Sequence, residues 1–193
     1  WSWSRGLGDV YKRQFFITKE GPVQGGWDLQ LGSKSMARMW ARRLVNRFGG
    51  TVKETSTVIG VKDGADVTRL TVSYRKPAFS IGDVLRLKEK LFIVTSWQKD
   101  GPIMGSFSSN QRSGRTWRDM EKSSVVCSTS DQITVQILDR DGSAAEVLIP
   151  GEWKMATVAL PFDYNGEETI RIGFIDHQWL AIPYATEGGF WDA

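Results

Sequence analysis

The first half of the chain alternates apolar and polar residues with two different periods. Trp27–Leu31 has the two-residue period of a half-buried strand. Lys34–Phe48 carries apolar residues at the spacing of one helix face. It lies between Ser33, a good N-cap residue, and the pair Gly49-Gly50, which favours the left-handed end of a helix. The pattern therefore predicts a strand followed by an amphipathic helix.

Two further strands are predicted after this helix. Thr51–Val61 and Val67–Tyr74 are rich in the β-branched and aromatic residues that strands favour. Lys62-Asp63-Gly64 between them is a turn signal of the kind that joins hairpin strands. The order strand, helix, hairpin predicts a small α+β unit in which one helix covers a sheet.

The second half contains short apolar runs separated by turns, and no convincing amphipathic helix. Hairpin turns are predicted at Arg140-Asp141-Gly142 and Asn165-Gly166, and a short helical turn near Trp117–Lys122. Many short strands at close spacing predict an all-β domain, a small closed barrel that leaves no exposed edge. The predicted strands are Asp83–Leu87, Lys90–Trp97, Ile103–Phe107, Ile133–Leu138, Ala145–Ile149, Lys154–Leu160, Thr169–Ile175 and Trp179–Ile182.

The charges divide where the periodicity changes, near Lys76-Pro77. The residue before a proline is pushed toward extended geometry, which is typical of a boundary. Between Phe15 and Phe79 there are 11 Lys and Arg against 5 Asp and Glu, a net charge of +6. From residue 80 to the end there are 11 against 16, a net charge of −5. We therefore expect a basic domain over residues 15–79, an acidic domain over residues 80–183 and a tail over residues 184–193.

The predicted helix is the first candidate binding site, because its polar arc is cationic. Several cations along one line suit contact with RNA phosphates. An ordinary solvated helix face is the alternative, since basic residues near a helix C-terminus also favour the helix dipole. The cations on and beside this arc are Lys34, Arg38, Arg42, Arg43 and Arg47.

A second candidate binding site is the polar segment 108–118, in which Arg112, Arg115 and Arg118 flank Trp117. Arginine beside a planar aromatic side chain can hold a phosphate and stack on an unpaired base. The alternative is a flexible, solvated loop whose tryptophan packs inward. Sequence leaves both alternatives open.

Catalytic groups are not indicated. His177 is the single histidine and lies in a predicted turn, while Cys127 is the single cysteine and follows two valines in a predicted buried strand. The carboxylate pairs Glu167-Glu168 and Asp139-Asp141 also lie at turns, and there is no phosphate-binding loop or dinucleotide motif. We expect a binding protein without catalytic activity, small-molecule substrate or bound metal. The short apolar runs exclude a membrane-spanning helix, and the cysteine usage suits an intracellular compartment.

Residues 1–14 contain SRGLGDVYKRQ, which resembles the translation of a transposase sequencing adapter in one open reading frame. The chain also begins at Trp1, without an initiator methionine. We therefore exclude residues 1–14 from fold reasoning as an artefact. We expect that the gene was cut and that native sequence before Phe15 is missing.

The segment Trp27–Leu85 resembles the central part of a family of large-subunit ribosomal export adaptors, nonsense-mediated mRNA decay protein three, in its archaeal form. The resemblance is carried by the first strand, by Ser33-Lys34-Ser35 at the start of the basic helix and by Phe48-Gly49-Gly50 at its end. It continues through the hairpin to Phe79-Ser80-Ile81-Gly82-Asp83-Val84.

This resemblance implies both the fold and the partners. The first domain would be similar to large-subunit ribosomal protein twenty-two, and the second to the SH3-like barrel of translation factor five-A. The partners would be the large ribosomal subunit, its ribosomal RNA and its ribosomal proteins, during subunit maturation or quality control in the cytoplasm. Family members begin with a zinc-binding Cys-x-x-Cys region, so zinc is expected in the missing N-terminal part and not in this chain. The alternative is a protein-protein scaffold, in which the acidic barrel binds a basic translation-related partner with little RNA contact.

Overall fold

The computed structural model describes residues 17–184, and the chain divides into two compact units. The first unit ends at Lys76 and the second begins at Pro77, within the stretch at which the sequence predicts a boundary. Residues 1–14, interpreted above as an artefact, and most of the predicted tail lie outside the described residues. Within the described part, no helix is long and apolar enough to cross a membrane.

In the described part of the first unit, residues 17–76, the chain forms one helix and four strands. The helix and the strands after it lie where the apolar periodicity predicts them, to within two residues. The strand Ile17–Val23 was not predicted, because Lys19, Glu20 and Gly21 interrupt its apolar alternation. The elements are β1 (Ile17–Val23), β2 (Gly26–Leu31), α1 (Lys34–Phe48), β3 (Thr51–Lys62) and β4 (Ala65–Arg75).

The four strands form two separate antiparallel hairpins, β1–β2 and β3–β4. The expectation of one sheet beneath the helix is therefore wrong. α1 packs mainly against β4, with smaller contacts to β2 and β3. The β3–β4 turn follows the predicted geometry, since Asp63 (φ 53°) and Gly64 (φ 76°) both adopt the left-handed region that two-residue hairpin turns require.

α1 begins and ends at the predicted residues, but its apolar face is only partly covered. Ser33 occupies the N-cap position without a side-chain cap bond, because its hydroxyl contacts that of Ser35. At the other end, Gly49 adopts φ 70° and its N–H donates to the carbonyl of Val45 at 2.8 Å. Ala41 is the one fully buried side chain of the helix. The first unit therefore has a thin core.

The second unit is mostly β. All eight strands named above are present, as is the strand predicted at Cys127, and the structure adds one further short strand and a 3-10 helix. The elements are β5 (Val84–Leu87), β6 (Lys90–Gln98), β7 (Gly101–Ser106), β8 (Arg112–Gly114), α2 (Trp117–Met120), β9 (Ser124–Cys127), the 3-10 helix η1 (Thr129–Asp131), β10 (Ile133–Asp141), β11 (Ala144–Ile149), β12 (Lys154–Ala159), β13 (Thr169–Ile175) and β14 (Gln178–Ala181).

These strands form two five-stranded antiparallel sheets, which the sequence did not separate. Their orders are β8-β7-β6-β5-β9 and β12-β11-β10-β13-β14. In the second sheet the edge strands β12 and β14 lie beside each other. The prediction of a barrel is confirmed in this coarse form, since the unit contains a nearly closed, barrel-like sheet.

The two predicted hairpin turns of this unit have different outcomes. Arg140-Asp141-Gly142 joins the paired strands β10 and β11, as predicted. Asn165-Gly166 does not join a hairpin, because β12 pairs with β11 whereas β13 pairs with β10. The strand after Asn165-Gly166 instead places Ile170 opposite Val135, and both side chains are buried.

Three apolar clusters support the second unit. One lies within the first sheet around Leu85 and Met104, and another lies within the second sheet around Val147 and Ile172. The third joins the two sheets, because it contains residues from both. Its buried members are Val84, Ile93, Cys127, Ile175, Ile182 and Tyr184.

Asp83 ties the start of the first sheet to the connection between the sheets. Its side chain is buried, and its carboxylate accepts hydrogen bonds from the Ser80 N–H at 2.8 Å and the Thr129 N–H at 2.8 Å. The Thr129 hydroxyl donates to the same carboxylate at 3.2 Å. Beside it, the Gln132 amide donates to the Gly82 carbonyl at 2.9 Å. These bonds fix η1 against the beginning of β5.

We expect Asp83→Ala to lower the free energy of unfolding by about 2–4 kcal/mol, because it removes a buried carboxylate and leaves two partly buried backbone N–H groups without an acceptor. Urea unfolding followed by near-ultraviolet circular dichroism measures the change. Glu146→Ala, at an exposed strand position, is the matched control and should change the value by less than about 0.5 kcal/mol. Equal effects of the two substitutions would contradict the role of Asp83.

Candidate nucleic-acid interface

The five predicted cations of α1 are all exposed, but they differ in their contacts. The Arg38 Nε donates to the Glu54 Oε2 at 2.9 Å, and the Lys34 ammonium donates to the Thr68 hydroxyl. Both contacts reach the β3–β4 hairpin, so this half of the cationic arc also holds the helix in place. An external anion would have to compete with Glu54 for Arg38.

The C-terminal half of α1 is more open. Arg42 is exposed, and within residues 17–184 its side chain has no hydrogen-bond or ion-pair partner. Arg43 is exposed beside it. Arg42 is therefore the cation of the helix best suited to contact a bound polyanion without breaking an intrachain bond.

A further cation joins the end of the helix. The Arg47 guanidinium lies over the Phe48 ring at 5.3 Å from its centroid, and the Lys76 ammonium lies over the same ring at 5.3 Å. Sequence reasoning missed Lys76 because it follows β4, far from the helix along the chain. The fold brings it close because the Tyr74 hydroxyl donates to the Gly49 carbonyl at 2.9 Å.

Close packing holds this junction. A side chain at Gly50, which has φ 99°, would collide with the Arg75 carbonyl oxygen. Burial raises the pKa of Tyr74 above its ordinary value, so its hydroxyl stays protonated and remains a donor to Gly49. The cations at the end of α1 and the end of β4 thus share one local surface, formed by Arg47, Phe48 and Lys76.

The second predicted site is more ordered than the sequence indicates. Part of segment 108–118 forms β8, and Arg112 lies in that strand with its guanidinium 4.9 Å from the centroid of the Tyr184 ring. Arg115 is half-buried beside Phe92, at 5.8 Å from the ring centroid. Of the three arginines, Arg112 and Arg118 are exposed.

Trp117 packs inward, which is the alternative that the sequence left open. Its ring centroid lies 6.4 Å from that of Phe79 and 6.0 Å from that of Trp97, and the rings are tilted by about 30°. It begins the short helix α2, where Thr116 and Asp119 form a capping box. These hydrogen bonds from Thr116 lower the pKa of Asp119 below its ordinary value. The ring therefore contributes to the apolar cluster of the first sheet.

The remaining chemical groups lie apart. His177 is exposed in the β13–β14 turn with φ 63°, where the sequence places it. Cys127 is buried at the end of β9, and burial raises the pKa of its thiol above the ordinary value. A raised thiol pKa lowers the thiolate fraction at neutral pH, and the Cys127 side chain packs in the cluster that joins the two sheets.

The geometry defines a mostly β protein whose first unit presents cations from a helix and from the end of a hairpin. Residues 7–75 match the family model described as NMD3, second domain. Over these residues the chain is similar to the NMD3 family, which is linked to ribosomal subunit biogenesis and export. No curated protein matches the chain. The family match begins inside residues 1–14, and the adapter interpretation of that segment stays a prediction.

We expect Trp117→Ala to lower the free energy of unfolding by about 2–4 kcal/mol, because it leaves Phe79 and Trp97 facing a cavity. Trp153→Ala is the matched control, since Trp153 is 79% exposed, and it should change the value by less than about 0.5 kcal/mol. Urea unfolding measures both variants. A Trp117→Ala protein as stable as the control would show that this ring does not support the fold.

Proposed function

We propose that this chain binds the large ribosomal subunit during its maturation or quality control, and that the first unit contacts ribosomal RNA. The observation that carries the proposal is that the NMD3 match covers all of α1 and β4, the elements whose cations are exposed. The proposal describes a binding protein without catalytic activity. Ribosomal proteins of the large subunit are the second class of partner.

The charge distribution supports RNA contact through the first unit. The net charge of +6 from Phe15 to Phe79 belongs to a segment with a thin core and a large exposed surface. Cations that neutralise phosphates release condensed counterions, so binding would weaken steeply as salt rises. Arg42, Arg43 and Arg47 are the helix cations that we assign to this contact, together with Lys76. Arg112 and Arg118 of the second unit are a secondary assignment.

The finer fold assignments belong to the same proposal. A helix on a long hairpin supports the likeness of the first unit to ribosomal protein twenty-two. The five-stranded sheet β8-β7-β6-β5-β9 supports an SH3-like barrel similar to that of translation factor five-A. The second five-stranded sheet has no counterpart in a domain that consists of one such barrel.

We expect Arg42→Glu with Arg47→Glu to weaken binding to purified large-subunit RNA about tenfold or more at about 0.1 M salt, because two phosphate contacts become repulsive. The slope of log K against log salt should fall by about 0.7–0.9 for each phosphate that is no longer neutralised. Filter binding over a salt series measures both quantities. Arg38 is left unchanged, since reversing it would also break the pair with Glu54.

Lys99→Glu is the matched control for this experiment, because it reverses an exposed cation in the second unit. It should leave the affinity and the slope close to those of the unmodified chain. If the helix variant and the control bind alike at every salt concentration, the assignment to α1 is wrong. If the unmodified chain shows no salt-dependent binding, the proposed function fails.

An acidic groove favours protein binding as a second candidate function. The groove lies in the second unit along β10 and the segment before β13, and its lining includes Asp139, Glu167 and Glu168. Tyr164 orders the wall, since its hydroxyl accepts from Arg140 at 3.1 Å and donates to the Glu167 carbonyl at 2.7 Å. A groove with three carboxylates suits a Lys- or Arg-rich segment of a protein partner.

We expect the triple substitution of Asp139, Glu167 and Glu168 to the corresponding amides to reduce capture of basic ribosomal proteins, because the groove loses its negative charge. Pull-down from ribonuclease-treated ribosomal protein extract measures the loss. The Arg42→Glu, Arg47→Glu chain serves as the control, since it leaves the groove intact. Undiminished capture by the triple variant would contradict the scaffold function.

A further inference from the structure

The β3–β4 hairpin has two chemically different faces. The face toward α1 is identified by Val72 and Tyr74, which are half-buried, and by Glu54, which pairs with Arg38. Because side chains alternate along a strand, the residues between these positions point to the opposite face. We call this opposite surface the outer face of the hairpin, and all of its residues are exposed.

Hydroxyls and cations make up the outer face over most of its length. The residues of the outer face lie opposite one another in cross-strand pairs, and no residue of these pairs carries a carboxylate. The cross-strand pairs are Thr51 with Arg75, Lys53 with Ser73, Thr55 with Thr71, and Thr57 with Arg69.

An irregularity in the pairing adds a fourth cation to this face. The register shifts between Val58 and Gly60, so that Gly60 lies opposite Val67 and Lys62 lies opposite Ala65. A shift of one residue reverses the direction of each later side chain on the bulged strand. Lys62 therefore shares the outer face with Lys53, although regular alternation would have placed it on the other side.

The same pairing keeps negative charge off the outer face. Asp66 lies opposite Val61, which places it on the side of the hairpin that carries Glu54. The tip residue Asp63 lies in the turn. Within residues 17–184, no hydrogen-bond or ion-pair partner is found for the side chains of the outer-face cations, which are Lys53, Lys62, Arg69 and Arg75.

We propose that the outer face of the hairpin binds the sugar-phosphate backbone of RNA, as a second contact surface separate from α1. The inference rests on the proposed function, and it names the chemistry that this further surface recognises. Four cations neutralise phosphates and five threonine and serine hydroxyls donate hydrogen bonds to phosphate oxygens. Twelve residues of β3 at about 3.3 Å each give a flat track of roughly 35–40 Å.

The outer face carries no aromatic side chain on which a base could stack. Tyr74, the aromatic residue of these two strands, lies on the side toward α1. Sequence preference in single-strand binding comes from stacking and base-edge contacts, whereas cations and hydroxyls without an aromatic platform favour contact with the backbone. Binding through it is therefore independent of base sequence.

The test replaces Lys53, Arg69 and Arg75 together by threonine, which removes three cations and retains a residue that favours strands. The substitution of Lys90, Lys99 and Lys122 together by threonine is the matched control, since it removes the same number of exposed cations from the second unit. Binding is measured over a salt series with purified large-subunit RNA and with polyuridine and polyadenine of equal length. Circular dichroism verifies that both variants keep the fold.

We expect the slope of log K against log salt to fall by about 2–3 in the cation variant for all three RNAs, and to change little in the control. If the slope is unchanged in the cation variant while the unmodified chain binds RNA, the outer face is not an RNA contact surface. The proposed function is unaffected by that result. If the unmodified chain binds all three RNAs equally and the cation variant loses this binding, the outer face is supported. The absence of any preference for large-subunit RNA then overturns the proposed function. If the cation variant binds RNA normally but no longer captures a protein in the ribonuclease-treated pull-down, the outer face docks a protein and the inference is overturned.

Discussion

The buried carboxylate of Asp83 is the constraint on which the architecture of the second unit depends. It accepts hydrogen bonds from residues on either side of the first sheet in the sequence, since Ser80 precedes that sheet and Thr129 follows it. The neighbouring bond from Gln132 to Gly82 repeats this closure. These bonds hold η1 against the start of β5, so β10 begins at a fixed position. The second sheet can then pack against the cluster that contains Val84 and Ile175.

The two units achieve stability by different means. In the second unit three apolar clusters bury side chains from nearly every strand. In the first unit Ala41 is the one buried apolar side chain among the described residues, and polar ties such as Arg38 to Glu54 and Tyr74 to Gly49 connect the helix to the hairpin. A thin core leaves more surface for binding, and a partner that covers this surface would add the stability that the core does not supply.

Local sequence signals were sufficient to predict the helix and most strands, but not which strands pair with one another. α1 was predictable because Ser33, its apolar face and Gly49 all lie within a short stretch of sequence. Asn165-Gly166 carries an equally good turn signal, but burial of Ile170 opposite Val135 decided which strand β13 joins. The cations of α1 were found from their spacing, whereas Lys76 was missed because its place beside Phe48 depends on a contact between distant residues.

The register shift beside Ile59 shows that a charged surface can depend on one residue of backbone length. Inserting one neutral residue into β4 opposite Ile59 would restore regular pairing and leave the number of charged groups of the chain unchanged. It would nevertheless move Lys62 to the side of the hairpin that carries Glu54, and would move Asp66 to the outer face among the cations. In such a hairpin the insertion of one neutral residue acts as an electrostatic mutation, and comparisons of charge content alone would not detect it.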